Sequence, residues 1–175
     1  KIHNAGLVVW GSVVFGADGD DKDSFKRMTD FILENNIDIL TFGINCPFPK
    51  TQLYARLDSE KRIFRKNYPE DWQYYDTAHV VHRFVDMTLE DFIEGMQYIY
   101  DHIYASDNLR TRFRNSIKTT KNPRNSMFAF RVGSDWKQVF EQVLQNLKEL
   151  YDSGDDYSDW YKSSAVTVSK PLMET

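Results

Sequence analysis

The residues best placed to do chemistry lie in the run Phe15-Gly16-Ala17-Asp18-Gly19-Asp20-Asp21, a glycine-bearing turn between an apolar segment and a helix-forming one. Turns of this kind at the carboxyl ends of parallel strands are where α/β proteins place ligands. The G-x-G-x-x-G dinucleotide fingerprint is absent, and Asp18, Asp20, Asp21 and Asp23 crowd the helix start. Those carboxylates suit the helix dipole but would repel a pyrophosphate. A calcium loop is excluded by Lys22, which falls where an acid belongs. The same residues also read as a capped tight turn with no ligand. Cys46, beside Pro47, has no base near it in sequence and reads as a small buried residue rather than a nucleophile. His79 and His82 flank Val80 and Val81, an extended pattern that sends the two imidazoles to opposite sides and argues against a metal pair.

From Asn108 to Ser134 the chain carries Arg110, Arg112, Arg114, Lys118, Lys121, Arg124 and Arg131 with no acid, interleaved with Phe113, Phe128 and Phe130. Such a stretch can bind RNA or dock on an acidic neighbour. Against the first stands the whole-chain balance of 22 Lys plus Arg to 26 Asp plus Glu, a net charge of -4. Nucleic acid is therefore disfavoured, and a solvated or domain-docked face is the expected role. Tyr68, Trp72, Tyr74 and Tyr75 form a cluster of the kind that plugs against another domain.

These groups need elements to hold them. The apolar run from Gly6 to Gly16 predicts a strand covered on both faces, as in parallel sheets flanked by helices. Asp21 or Asp23 can cap a helix bearing Phe25, Met28 and Ile32 at helical spacing, which Asn35-Asn36 ends. Ile37 to Asn45 predicts a second buried strand, giving a βαβ unit, and Pro47 and Pro49 stop it. A short helix is expected over 51–60, an ordered connection over 61–78, and a short strand over 79–84. Thr88 opens a capping box with Asp91, ahead of a stripe of Leu89, Phe92, Ile93, Met96, Tyr100 and Ile103. A further helix is expected from Asp107 to about Lys118. Ser134 is expected to cap a last helix carrying Trp136, Val139, Phe140, Val143, Leu144, Leu147 and Tyr151, with its stop at Gly154.

At 175 residues the chain is long enough for a real core, and its single cysteine excludes an internal disulfide framework or a thiolate cluster of its own. Mean hydropathy is -0.57 and no apolar run approaches the ~20 residues of a membrane helix, which predicts a soluble, cytoplasmic protein with no membrane partner.

Three strings carry a resemblance. GSVVFGADGDDKDSF resembles the fifth-strand region of radical SAM enzymes, a strand followed by Gly-x-x-Gly-Glu/Asp-Thr and a helix. INCPFPKTQLYARLDSEKRI resembles their sixth-strand region, a strand followed by Pro-x-Pro-Gly-Thr-Pro-Leu-Tyr. HVVHRFVDMTLEDFIEGMQYIYDHIYA looks like the extension that follows the barrel in members with a cobalamin-binding domain at the other end. The resemblance spans roughly residues 3 to 115 in order. It departs at Lys50 and Gln52, where the family has glycine and proline, at Asp20-Asp21 in place of an acid-threonine pair, and in lacking the Cys-x-x-x-Cys-x-x-Cys loop.

The resemblance implies an α/β fold: the βαβ remnant of a radical SAM partial TIM barrel over 1–60, a mostly α-helical extension over 61–155, and a weakly structured tail over 156–175. It implies a parent enzyme that cleaves S-adenosylmethionine to start radical chemistry. That parent would hold a 4Fe-4S cluster, with cobalamin as a further cofactor, and none would be bound by this chain alone. Ser12, Val14 and Gly16 match positions near the adenosine part of S-adenosylmethionine, and Asn45 one near the adenine. No residue of this piece is then catalytic or a metal ligand, and the chain by itself should be inactive. Its expected partner is the missing amino-terminal part of the same protein. Without that part, the first strand would pair with a second copy or fold the chain's own helices over its face.

Overall fold

The computed structural model describes residues 1–153. Its elements are β1 (Trp10–Phe15), α1 (Lys22–Glu34), β2 (Ile39–Ile44), α2 (Gln52–Ser59), α3 (Leu89–Ile103), α4 (Ser106–Thr120) and α5 (Pro123–Asp152), with 3-10 turns at His3–Ala5 and Glu70–Tyr74. The class is α/β and mostly helical. β1 and β2 pair in parallel from Trp10↔Ile39 to Phe15↔Ile44, with α1 as the crossover between them. Asp38 pins the entry of both strands, accepting from the Val9 amide at 2.7 Å and from His3 Nε2 at 2.8 Å.

Local chemistry explains most boundaries. Asp21 caps α1, its amide donating to Ser24 Oγ at 3.0 Å. Thr88 and Asp91 form the expected box, Asp91 N–H to Thr88 Oγ1 at 3.0 Å and Thr88 N–H to Asp91 Oδ2 at 2.9 Å. Thr51 caps α2 by accepting from the Tyr54 amide.

The core lies where α1, α3 and α5 meet one face of the strand pair. Phe15 stacks on Phe25 at 4.7 Å, and Phe25 meets Phe92 edge-on at 5.5 Å. Ile99, Ile103, Phe140, Leu144 and Leu147 complete it. α1 and α3 approach closely because Gly95 has no side chain, and a Cβ there would fall 2.2 Å from the Phe25 ring.

Three expectations are corrected. β1 is shorter than the apolar run and is covered on one face only, since Trp10 and Val14 are 52% and 58% exposed. Alternation along a strand sends Val13 and Phe15 to the helices and Ser12 and Val14 to the other side. The strand expected over 79–84 is a single antiparallel bridge, Ile63↔His82, flanked by Arg83 N–H to Arg62 O at 2.9 Å. The last helix starts at Pro123, capped by Asn122, and passes through Gly133 and Ser134. Ser134 Oγ bonds back to the Phe130 carbonyl at 2.8 Å, so it caps nothing. The tail expected over 156–175 and the stop at Gly154 lie outside the described residues.

Candidate functional site at the carboxyl ends of the strand pair

Ser12 and Val14 project from the exposed face of β1, and their register partners Thr41 and Gly43 share that face on β2. Ser12 Oγ and Thr41 Oγ1 lie 2.9 Å apart. Gly16 and Asn45 follow at the two strand ends, joined by Asn45 N–H to Phe15 O at 2.7 Å and by a long contact of 3.5 Å from Asn45 Nδ2 to Gly16 O. Of the four residues singled out in the sequence, Ser12 and Val14 are exposed on this face, whereas Gly16 is buried and Asn45 half-buried at the carboxyl ends of the strands.

The loop beyond β1 turns on Gly16, whose φ of 91° suits glycine. Both the Gly16 and Ala17 amides donate to Asp20 Oδ2 at 3.0 Å, which gives Asp20 a structural task inside the turn. Asp18 points the other way, onto Arg62. Arg62 is 1% exposed, and each of the five donor hydrogens of its guanidinium has an acceptor. Nη2 reaches Asp18 Oδ1 at 2.7 Å and Arg83 O at 2.8 Å, Nη1 reaches Asp18 Oδ2 at 3.2 Å and Glu60 Oε2 at 2.8 Å, and Nε reaches Arg83 O at 3.1 Å. Arg56 also holds Asp18. Burial works to raise the Asp18 carboxyl, but the hydrogen bonds from Arg62 and Arg56 outweigh it and hold it down at about 2.

Two more residues close on the same turn. His82, fully buried, donates from Nε2 to Gly16 O at 3.3 Å. Burial, aided by the Arg62 charge, pushes this imidazole down to about 4, so it stays neutral. Phe84 lies against Gly16 so closely that a Cβ there would fall 2.6 Å from its ring.

The remaining candidates resolve as structure. Cys46 is buried and its thiol is pushed up to about 11, which makes it neither nucleophile nor ready ligand. His79 pairs with the Asp76 carboxylate at 2.9 Å, apart from His82. Among the described residues no group of three or more His, Cys, Asp or Glu side chains could hold a metal ion. In the basic stretch Arg112 is buried, donating to Ile37 O and Ile103 O, so it belongs to the packing of α4. Arg110, Arg114, Lys118, Lys121, Arg124 and Arg131 are exposed, while Phe113 packs on Phe130 at 4.9 Å. Within the aromatic cluster, Tyr75 donates to Arg65 O and Tyr74 lies under the Arg65 guanidinium at 3.6 Å, whereas Tyr68 and Trp72 face outward. Sequence reasoning missed Arg62. Its partner Asp18 is 44 positions away, and nothing local in Asp58-Ser59-Glu60-Lys61-Arg62 marks one cation as buried.

Residues 51–152 match the family described as Domain of unknown function (DUF4070). The chain belongs to this family. DUF4070 is the carboxyl-terminal domain of radical SAM cobalamin-binding enzymes, so the resemblance read from the three strings holds. The chain is also similar to the bacteriochlorophyllide d C-12(1)-methyltransferase of Chlorobaculum tepidum, 26% identical over 114 residues. That match covers 65% of this chain and 24% of the relative, so the aligned region spans about a quarter of the relative's length. No solved structure matches. Arg56, Glu60, Arg62, His82 and Phe84 all lie in the DUF4070 part, and Gly16 and Asp18 lie outside it. Among the described residues no helix is long and apolar enough to cross a membrane.

Proposed function

We propose that this chain is the carboxyl-terminal portion of a cytoplasmic radical SAM iron-sulfur enzyme. Its open strand face is a piece of the inner wall of a partial TIM barrel. One observation carries the reading: helices cover one face of the β1–β2 pair, while Ser12 and Val14 are exposed on the other, which leads to Gly16 and Asn45 at the carboxyl ends of the strands, where barrels build their sites. The free edge of β1 would take the preceding strand of the same protein. In its absence a second copy of the chain would cover that edge.

The residues fit the adenosine part of S-adenosylmethionine. The Ser12–Thr41 hydroxyl pair offers polar contacts on the exposed face of β1, and the Asn45 amide suits an adenine edge. They do not fit the 4Fe-4S cluster, since the one thiol is buried at the end of β2 and protonated. Cluster ligands and any cobalamin site belong to the rest of the parent. When bound, S-adenosylmethionine supplies the reactive group, and the name of the Chlorobaculum relative favours methyl transfer. This chain's share is to bind the nucleoside, orient it and exclude water, and alone it turns nothing over. Anaerobic reconstitution of the full-length protein tests this. Formation of 5'-deoxyadenosine or S-adenosylhomocysteine is expected, and a reconstituted protein that consumes no S-adenosylmethionine would overturn the reading.

A further inference from the structure

We infer that the DUF4070 part acts as a clamp on the β1 loop, with Arg62 as a positioning residue that fixes Gly16–Asp18 for the nucleoside. The inference rests on the reading of the β1 rim as the adenosine site. Three residues of that part converge on two residues of one turn outside it: Arg62 takes both oxygens of Asp18, His82 holds the Gly16 carbonyl, and Phe84 packs against Gly16. The loop's own bonds are few, the two amides that Asp20 accepts and the Asp20 N–H to Ala17 O turn. Its direction relative to the strand face is therefore set from across the chain.

Stability alone is a weak reason for this arrangement. A buried ion pair is often matched or exceeded by apolar residues of the same volume, because desolvation offsets the Coulomb gain. What a bidentate guanidinium offers that an apolar side chain cannot is a fixed direction for the carboxylate it holds. Here that direction is tied to the backbone at Arg83 O and to Glu60, both within the DUF4070 part. A displacement of that part would carry Asp18 with it, and Gly16 two residues earlier.

The test uses the full-length protein, reconstituted anaerobically. Asp18→Asn keeps the shape of the side chain, and the buried Arg62 guanidinium retains the Glu60 carboxylate and Arg83 O as partners. It is expected to speed amide hydrogen exchange in 16–20 and to raise the dissociation constant for S-adenosylmethionine by roughly tenfold, the scale of one charge-assisted contact. Thr88→Ala removes a helix cap that has no bond to the loop. It should lower the melting temperature comparably and leave both readouts at wild-type values. Unchanged loop exchange in Asp18→Asn overturns the clamp. So does a loss of affinity equal in the two variants, which would mark a merely structural role. If the wild-type protein binds no S-adenosylmethionine, the reading of the site fails, and the exchange comparison still decides whether the clamp exists.

Discussion

At the scale of single residues, ordinary side chains become decisive through what buries them. Gly16 is the tightest case, with a positive φ and the Phe84 ring where a Cβ would go. Gly16→Ala is expected to destabilise the protein by about 1–3 kcal/mol, read as a lowered urea midpoint. His82 ties stability to pH. Its folded value is depressed from 6.5 to about 4 by burial and by Arg62, so its contribution is complete above 6.5 and declines as pH falls from there toward 4. Asp18 is also depressed, from 3.8 to about 2, so its contribution is present above 3.8 and lost only below. The urea midpoint should therefore fall between pH 6.5 and 4 in the wild-type protein and fall less in His82→Gln. An equal fall would remove His82 from the account. None of this was legible beforehand. The sequence shows two histidines three apart and a crowd of aspartates, and only long-range packing separates Asp18 from Asp20 and His82 from His79.

At the scale of elements, most boundaries are set by rules that act within one turn. The Thr88–Asp91 box and the Asp21 start of α1 follow from rules that act within one turn, and the sequence shows both. Ser134 shows that a capping residue type alone does not mark a start, because it lies inside α5 and bonds back to Phe130 O. The real start is Asn122-Pro123, where Lys121 takes a left-handed turn and Asn122 accepts from the Asn125 amide at 3.2 Å. Asn122→Ala should cost about 1 kcal/mol in thermal or urea unfolding and Ser134→Ala less than about 0.5 kcal/mol. The reverse order would place the helix start where the sequence put it. β1 departs from its expectation for a different reason: a continuous apolar run implies burial on both faces, and the chain's own helices supply only one.

At the scale of the whole molecule, the strand pair has one face packed on α1, α3 and α5 and the other exposed along β1, and the DUF4070 part reaches back to grip the loop at the carboxyl end of β1. This asymmetry joins the two portions that the sequence presents as separate. The α/β class and the radical SAM resemblance were legible because strand-turn-helix punctuation survives in the strings around Gly16 and Pro47. The grip was not, because it depends on contacts between residues far apart in the chain. The exposed face of β1 and the carboxyl ends of the strands are proposed to meet S-adenosylmethionine. Amide hydrogen exchange of the anaerobic full-length protein, with and without S-adenosylmethionine, tests this most directly. Slowed exchange in 12–20 and 43–48 is expected on binding. Binding that leaves both segments unchanged, with protection confined elsewhere, would contradict it.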